Sequence, residues 1–368
     1  MEPCQGHQTR GAYGMTGSGE ASTAGTSSPL DDVRLIAWMT ANIDGYEGPL
    51  TISRFAGGQS NPTYRLSTPG RDYVLRRKPS GLLAPGAHAV DREARVMRAL
   101  GEQGFPVPHI HALCTDEAVI GGWFYVMDYI EGRVFWDARF ESVPVAERPA
   151  YFDAMNDTIA RLHRFDPAAL GLCDFGKAGN YFQRQISRWS RQYAADADVA
   201  GRDDAMDALI EWLPGHMPTS DETRLIHGDY RADNMVFHPT EPRVLAVLDW
   251  ELSTLGHPLA DFVNHAMMYH LPPAILSGLE GSDLHALNLP GEDAYVAQYC
   301  ARTGRTAIDD MDWLLAFSLF RLAAIYHGIR ARALRGNASS AHALDLAAAY
   351  PMLAARALAH ARSSASPP

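Results

Sequence analysis

The sequence predicts an α+β protein built from a small β-rich section and a larger, mostly helical section. Short runs typical of strands fall at residues 50–55, 63–67 and 73–77, near the start of the chain. Helical periodicity dominates after residue 133, and one short hairpin interrupts it between residues 225 and 251. At 368 residues the chain is long enough for two domains, or for one domain with two lobes.

Charge and composition exclude several classes of function. The formal net charge of −11 argues against non-specific binding of nucleic acid, and we expect no nucleic-acid partner. No apolar run reaches transmembrane length and the N-terminus lacks a basic-then-apolar signal pattern, so we expect no membrane association. The four cysteines are far apart without a CxxC pair, which indicates neither a zinc ribbon nor a disulfide framework and favours a cytoplasmic location.

The chain begins with a polar segment and a helix. Residues 1–29 are rich in Gly, Ser and Thr without apolar periodicity, so we expect a disordered tail. Residues 31–43 have helical periodicity, with Leu35, Ile36 and Met39 on one face. The first folded element is therefore expected to be an amphipathic helix.

A glycine-containing turn at residues 56–61 separates the first two predicted strands. It contains Gly57, Gly58 and Ser60. A glycine pair between antiparallel strands lets backbone N–H groups approach a phosphate closely, so these residues are candidates for a nucleotide-covering loop. An ordinary hairpin turn explains the same residues, and both interpretations stay open.

Two charged positions follow on neighbouring elements. The strand at residues 73–77 carries Arg76, and strand alternation places Lys78 on the same face, one step further out. A helix at residues 89–101 carries Glu93 in its first turns, where a carboxylate is favourable near the positive end of the helix dipole.

A strand-like run from residue 123 ends in an acidic, glycine-closed link at residues 128–132. The chain then becomes helical. Helices are predicted at residues 145–165, 181–195, 203–212, 259–269, 293–303, 309–335 and 339–360.

The stretch at residues 225–251 carries the residues with catalytic chemistry. A polar loop containing Asp229 and Asn234 joins two apolar runs, and the strand that follows ends at Asp249. The two later runs are separated by a proline-bearing turn, which predicts a hairpin with carboxylates at its edges. Phosphoryl transfer needs such a frame, with one carboxylate to orient the attacking hydroxyl and hard oxygen ligands to hold magnesium.

The spacing of these residues follows the order of the protein-kinase catalytic loop and its metal-binding aspartate. With His227 and Gly228 in front, the pattern HGDxxxxN resembles that of the superfamily of aminoglycoside phosphotransferases and choline kinases. A chance match in a chain of this length and average composition has odds of about one in a thousand. The resemblance spans residues 30–360 and implies a bilobal protein-kinase-like fold.

The implied fold divides the chain into two lobes. A nucleotide-binding lobe at residues 30–127 contains a small antiparallel sheet with helices, and a hinge at 128–132 joins it to a mostly helical catalytic and substrate lobe at 133–360. The tails are expected to be disordered at 1–29 and frayed at 361–368.

The resemblance also implies catalytic roles. Asp229 is the implied base, or the residue that positions the substrate hydroxyl for in-line attack on the γ-phosphate. Arg231 falls where many kinases place a lysine against the transferred phosphate, with a solvated surface charge as the alternative. Asn234 and Asp249 are the implied ligands of Mg²⁺.

Supporting roles are implied for the neighbours of these residues. His227 is interpreted as a buried brace rather than a base, and Asp261 as a second brace of the site. Asp233 is expected to face solvent or to cap a turn.

For the nucleotide, the resemblance favours Arg76 as the cation that grips the phosphates, with Lys78 as the alternative and Glu93 as its partner. The Asp128 carbonyl and the Ile130 N–H are expected to bind the base. The implied nucleotide is ATP, but main-chain groups carry little base specificity, so the choice between ATP and GTP stays open.

The acceptor is expected to be a small molecule with a hydroxyl group. Arginine-rich segments at residues 180–193 and 320–332 resemble those of phosphotransferases found alone or fused to acyl-CoA dehydrogenases. That subgroup implies a hydroxyacyl-CoA and a link to acyl-CoA metabolism, and arginine suits the phosphates of CoA. The arginines could instead form an ordinary solvated helix face without binding a substrate. An aminoglycoside or another amino-alcohol is the second candidate acceptor.

Two hypotheses come from other classes of function. A metallohydrolase could use His227, Asp229, His257 and His265, but these histidines lack a recognisable ligand spacing. A nucleotide-binding pseudokinase is the other, although every polar position that catalysis requires is filled.

Overall fold

The computed structural model describes residues 30–55, 61–79, 89–336 and 343–364, with the side chain of residue 343 left out. The predicted tail at 1–29 lies outside the described residues. So do Gly57, Gly58 and Ser60 of the predicted nucleotide-covering turn.

The N-terminal part contains a five-stranded antiparallel sheet with strand order β1-β2-β3-β5-β4. Its strands are β1 Thr51–Arg54, β2 Thr63–Ser67, β3 Asp72–Arg77, β4 Ile110–Cys114 and β5 Phe124–Asp128. The predicted strands at 50–55, 63–67 and 73–77 are confirmed to within one residue at each end.

Helices cover both faces of this sheet. On one face, α1 (Asp32–Asn42) buries Leu35 and Met39 against apolar side chains of the strands. On the other face, α2 (Val90–Glu102) packs against β4 and β5 and carries Glu93 toward the sheet. The Asp31 side chain caps α1 by accepting a hydrogen bond from the Arg34 N–H at 3.1 Å.

A short helix, α3 (Glu117–Ile120), lies between β4 and β5. The rest of the chain is mostly helical. Its helices are α4 Arg148–Arg164, α5 Tyr181–Ala200, α6 Asp204–Trp212, α7 Pro258–Ala266, α8 Glu292–Thr303, α9 Met311–Leu334, α10 Ala343–Ala347 and α11 Tyr350–Ser364. Short 3₁₀ turns extend several of them, including Val145–Glu147 before α4 and Met267–His270 after α7.

The longest helix of the described chain, α9, lies in the centre of the helical part between α5 and α11. By length and composition alone α9 could cross a membrane, contrary to our expectation that no apolar run is long enough. However, 78% of its most apolar window is buried inside the protein, as in a core helix.

The end of the chain differs from the prediction. The single helix expected at 339–360 is described as two, α10 and α11. Pro351 has no N–H to donate to the carbonyl of Ala347, where α10 ends, so the helix cannot continue through it. The frayed tail predicted from residue 361 is also wrong at its start, because α11 continues to Ser364 and Ala361 is only 1% exposed.

Two small strand pairs hold the central stretch. The predicted hairpin is confirmed as β7 (Met235–Phe237) paired with β8 (Val244–Val247). The second pair joins β6 (Arg224–Ile226) to β9 (Thr254–Gly256), which was not predicted. Together the pairs bring the loop after β6 beside the loop after β8.

The link after β5 is fixed onto this hairpin. Arg133 and Phe237 exchange two backbone hydrogen bonds of 2.8 Å. Gly132 lies so close to β7 that an added Cβ would be 2.3 Å from the Phe237 carbonyl oxygen and 2.5 Å from a Val236 methyl group. Only glycine fits there, so the hinge sits directly on the hairpin that delivers the catalytic loop.

Candidate active site

The loop between β6 and β7 is closed by Asn234. Its side-chain Nδ2 donates to the main-chain oxygen of Asp229 at 2.8 Å and to the Asp229 carboxylate at 3.2 Å. Asn234 is 2% exposed, and its backbone oxygen accepts a 2.8 Å hydrogen bond from the N–H of Leu248. Since Asp249 follows Leu248, this bond brings the chain at Asp249 next to the end of the loop at Asn234.

Asp261, on α7, holds the start of the loop. Its two carboxylate oxygens accept hydrogen bonds of 2.8 Å from the backbone N–H groups of His227 and Gly228. Burial alone would raise the pKa of Asp261, but hydrogen bonds from His163 and from the His227 N–H hold it below its ordinary value. The predicted brace is therefore an ionised, fully engaged carboxylate.

His227 is a second brace. Its Nδ1 accepts from the Asp229 N–H at 3.2 Å, so the proton is on Nε2, which donates to the Leu248 oxygen at 2.8 Å. The ring is fully buried and has no free nitrogen to act as a base. Gly228, at φ +85°, lies where an added Cβ would be 2.8 Å from the Leu252 carbonyl oxygen, so a side chain is excluded.

Arg231 is held inside the loop by two carboxylates. Its guanidinium lies 3.3 Å from Asp229 Oδ1 and 2.9 Å from Asp233 Oδ2, and its side chain is 19% exposed. Asp233 was expected to face solvent or to cap a turn, but its side chain is only 17% exposed and pairs with Arg231. Burial raises the pKa of Asp233, and the opposing charge of Arg231 is the interaction that offsets this cost.

Asp249 follows β8 in a left-handed conformation with φ 63° and ψ 60°. This conformation is rare for a residue with a side chain and is commonly found at functional sites. Its side chain is 7% exposed, and Oδ1 accepts a 2.7 Å hydrogen bond from Arg76 Nη2. The following Trp250 is buried and anchors the turn through a 2.9 Å hydrogen bond to the Val247 oxygen.

Arg76 connects the sheet to this loop. Its guanidinium lies 3.0 Å from Glu93, 2.7 Å from Asp249 and 3.5 Å from Glu251. Lys78 instead lies beyond the end of β3, with its ammonium 5.8 Å from the centre of the Trp123 ring. Of the two cations left open by the sequence, the structure places Arg76 at the carboxylates.

Glu93 is almost fully buried and is satisfied by more than Arg76. It accepts hydrogen bonds from Asn61 at 2.8 Å and from the Tyr125 hydroxyl at 3.0 Å. Burial raises the pKa of Glu93, and Arg76 opposes the shift. The sequence analysis did not single out Asn61 or Tyr125 as partners of Glu93, because these contacts form only when α2 packs against the sheet.

The predicted hinge residues line an open pocket of about 490 Å³ beside the end of β5 and the start of β3. The Asp128 side chain is engaged by Arg71 and His111, at 2.9 and 2.8 Å. Further lining residues are Arg65, Asp72, Tyr129, Ile130 and Glu131. Asp128 and Ile130 therefore belong to one pocket, with the Asp128 carboxylate occupied by its own neighbours.

Arg321, on α9, contacts the catalytic loop, a role that the sequence did not indicate. It lies in the arginine-rich stretch interpreted as binding CoA. Instead, its guanidinium donates to the Gly228 carbonyl oxygen at 2.8 Å and to Asn264 Oδ1 at 3.2 Å. No local pattern indicates this contact, since 93 residues separate Arg321 from Gly228.

The metallohydrolase hypothesis finds no support in the histidines. His257 Nδ1 accepts from the Leu259 N–H and caps α7. His265 is buried and hydrogen-bonded to the Tyr295 hydroxyl at 2.8 Å. Within the described ranges, no three His, Cys, Asp or Glu side chains are grouped so as to hold a metal ion.

Comparisons with known proteins identify the family of the chain. A model of the phosphotransferase enzyme family matches residues 51–314. Acyl-CoA dehydrogenase family member 10 of Mus musculus is 45% identical over 298 residues, which cover 80% of this chain and 28% of that protein. The chain thus spans well under half the length of this curated relative.

Solved structures show the same architecture. A candidate aminoglycoside phosphotransferase from Ralstonia eutropha is 48% identical, with a TM-score of 0.84 over 91% of this chain and 99% of that one. An aminoglycoside phosphotransferase in complex with AMP-PNP and hygromycin B is 16% identical, with a TM-score of 0.55 over 87% of this chain and 96% of that one, and it shares the fold. With a kinase-like fold and a family match over most of its length, the chain belongs to the phosphotransferase enzyme family and is a phosphotransferase of the kind that acts on hydroxyl groups.

Proposed function

We propose that the chain is an ATP- and Mg²⁺-dependent kinase that transfers the γ-phosphate to a hydroxyl group of a small molecule. The observation that carries this proposal is the way the three residues are fixed: Asn234 is hydrogen-bonded to Asp229 and to the Leu248 N–H, and Asp249, next to Leu248, is held by Arg76. Two carboxylates and one amide oxygen on a rigid loop are what phosphoryl transfer requires.

Asp229 orients the acceptor hydroxyl and accepts its proton. The hydroxyl oxygen attacks the γ-phosphorus in line, the new P–O bond forms, and the bond to the β–γ bridging oxygen breaks to release ADP. Arg231, which forms an ion pair with Asp229, supports this residue and supplies positive charge close to the reacting groups.

Asn234 and Asp249 would hold Mg²⁺. The Asn234 amide nitrogen is engaged with Asp229, which leaves its oxygen to serve as the ligand. Hard oxygen donors of this kind suit Mg²⁺, which keeps several waters and binds phosphate oxygens as well. When bound, the ion would neutralise charge on the β- and γ-phosphates.

The environment of Arg76 supports a site for a dication and a phosphate chain. Three carboxylates, Glu93, Asp249 and Glu251, surround one guanidinium, so the group carries an excess of negative charge. We propose that Arg76 contacts the phosphates while Glu93 fixes its position, and that the base binds at Asp128 and Ile130.

For the acceptor, we propose a hydroxyacyl-CoA. The support is the likeness to proteins named acyl-CoA dehydrogenase family members 10 and 11. The arginines of α5 give weaker support, because two of them are engaged locally. Arg184 donates to the Lys177 oxygen at 2.7 Å, and Arg191 donates to the Ser187 oxygen at 3.1 Å.

An aminoglycoside or another amino-alcohol is the second candidate. The net charge of −11 favours a cationic acceptor if the excess lies near the cleft. The acidic residues around Arg76 are consistent with this candidate but serve the metal site equally well.

A screen of ADP release with Mg²⁺ tests the proposal. The panel contains hydroxyacyl-CoAs, free hydroxy acids, aminoglycosides and choline, and Asp229→Ala is assayed beside the parent. We expect turnover with hydroxyacyl-CoAs and none in the variant. Turnover with aminoglycosides alone would remove the CoA proposal and leave the kinase intact.

Two results would replace the proposal altogether. ATP binding without turnover across the panel would indicate a pseudokinase. A zinc-dependent activity that needs no ATP would indicate a metallohydrolase.

A further inference from the structure

Asp261 holds the start of the catalytic loop, and His163 in turn holds Asp261. His163 lies in the last turn of α4, and its Nε2 is 3.2 Å from Asp261 Oδ2. The same carboxylate accepts hydrogen bonds of 2.8 Å from the backbone N–H groups of His227 and Gly228. The side chains of His163 and Asp261 are 1% and 0% exposed. The residue before Asp229 is therefore tied to α4 through two buried side chains.

The hydroxyl of Tyr299, on α8, fixes the other nitrogen of this imidazole. It lies 2.7 Å from His163 Nδ1, and the Tyr299 ring stacks on Phe262 with the ring centres 3.8 Å apart. An ionised carboxylate only accepts hydrogen bonds, so the contact with Asp261 requires the proton on Nε2. In the neutral ring this leaves Nδ1 to accept from the Tyr299 hydroxyl. Tyr299 thus selects the tautomer that donates to Asp261.

The Asp261 carboxylate depends on this donor. A buried carboxylate needs hydrogen bonds in place of its lost water, and His163 supplies one of three. Without it, burial would act to raise the pKa of Asp261, and the carboxylate would be less firmly oriented. Gly228 could then shift, and Asp229 is the next residue. A misplacement of about 1 Å can lower the rate of a reaction by about a hundredfold.

We propose that His163 and Tyr299 are positioning residues for phosphoryl transfer, acting through Asp261 to set the place of Asp229. This inference rests on the proposed function of Asp229 and adds α4 and α8 to the elements that orient it. The role requires a hydrogen-bond donor at the position of His163 Nε2. A role in packing alone would require only the volume of the ring.

Two substitutions of His163 separate these roles. The amide nitrogen of glutamine reaches the position of Nε2 and can donate to Asp261, whereas that of asparagine reaches only the position of Nδ1. We expect kcat to fall about tenfold to a hundredfold in His163→Asn, with the KM values for ATP and for the acceptor unchanged. His163→Gln should restore most of the parental kcat.

Two further readouts distinguish positioning from a general loss of stability. As the pH is lowered, kcat of His163→Asn should begin to fall at a higher pH than kcat of the parent, because Asp261 has lost a donor that favours its ionised form. Exchange of the backbone amide hydrogens of His227 and Gly228, followed by NMR, should become faster. This exchange needs no substrate, so it reports on the loop independently of the acceptor.

His327→Asn is the matched control. His327 is a fully buried histidine of α9 whose Nε2 lies 2.8 Å from the Gly201 carbonyl oxygen, and its ring packs against Tyr193 with 4.6 Å between centres. Its substitution should lower the melting temperature and leave kcat unchanged.

Tyr299→Phe tests the order of the contacts. It should lower kcat in the parent but not further in His163→Asn, because Tyr299 acts through His163. Equal effects of Tyr299→Phe in both backgrounds would contradict this order and overturn the part of the inference that concerns Tyr299.

Two outcomes would overturn the inference as a whole. Parental kcat in His163→Asn, with or without faster amide exchange, would limit these contacts to stability. Equal losses of kcat in His163→Asn and His163→Gln would show that the ring fills space rather than donates. A parent that turns over no acceptor would instead remove the proposed function, and this inference with it.

Discussion

Arg76 lies between three carboxylates and is 8% exposed, so its removal should be costly. Arg76→Ala leaves Glu93 and Asp249 buried without their cation. Breaking a buried pair in this way costs about 3–5 kcal/mol of unfolding free energy, to be measured by urea denaturation. Lys78→Ala, beyond the strand, should change it by less than about 0.5 kcal/mol. Equal losses in the two variants would contradict the assignment of Arg76.

Asp229 should matter for chemistry rather than for folding. Asp229→Asn keeps the shape of the side chain but removes its ability to accept a proton. We expect kcat to fall about 10²- to 10⁴-fold while nucleotide affinity, measured by calorimetry, is retained. Asp198→Asn, on the exposed face of α5, is the control and should behave as the parent. A variant with parental kcat would remove Asp229 from its role.

At the scale of the elements, the hinge and the β7–β8 hairpin form one unit because of Gly132. Gly132→Ala would place a methyl group 2.3 Å from the Phe237 carbonyl oxygen, so the two elements must separate. Overpacking of this kind costs about 1–3 kcal/mol, and turnover should fall with stability because the loop moves. Gly70→Ala, where an added Cβ meets nothing within 4 Å, is the control. Parental stability and kcat in Gly132→Ala would show that the contact is not important.

Elements whose form depends on neighbouring residues in the sequence were predicted correctly. The strand at 63–67 and the hairpin that ends near Asp249 each appear in the sequence as apolar runs between turn residues. The structure has both of them at the expected positions. The spacing of Asp229 and Asn234 likewise fits one side chain closing the loop onto the other.

Features that depend on distant contacts could not be predicted. The pairing of β9 with β6 joins three-residue strands that carry no signal of their own. The burial of Asp233 was also missed, although Arg231 is only two residues away, because the guanidinium turns inward only in the folded loop. Arg321 contacts Gly228 only because α9 passes the loop.

At the scale of the whole molecule, one core joins the inner face of the sheet to the helical part. Buried residues from Val74 on β3 to Ala361 on α11 form a single cluster. The loop with Asp229 is braced from this core by Asp261 and Arg321. The site is therefore expected to be preorganised before any ligand binds.

Stability should depend on pH through two buried histidines. Burial lowers the pKa of His257 and of His265 from 6.5 to about 4. Between these values the unfolded chain binds protons that the folded chain does not, so stability falls as the pH is lowered from 6.5 toward 4. Each histidine contributes up to about 3 kcal/mol of this loss, to be followed by denaturation at a series of pH values.

Substitution separates this effect from general acid unfolding. His265→Asn should flatten the dependence of stability on pH in that window, whatever its effect on stability at neutral pH. The exposed His285→Asn should leave the dependence unchanged. An unchanged slope in His265→Asn would mean that His265 is not the group that binds the proton.

The most direct test of the central claim is a crystal structure with AMP-PNP and Mn²⁺, in which anomalous scattering locates the metal. We predict an ion bound by Asn234 Oδ1 and the Asp249 carboxylate, with the γ-phosphate facing Asp229 and Arg76 contacting the phosphate chain. A metal ion bound elsewhere, or a nucleotide whose γ-phosphate points away from Asp229, would contradict the account.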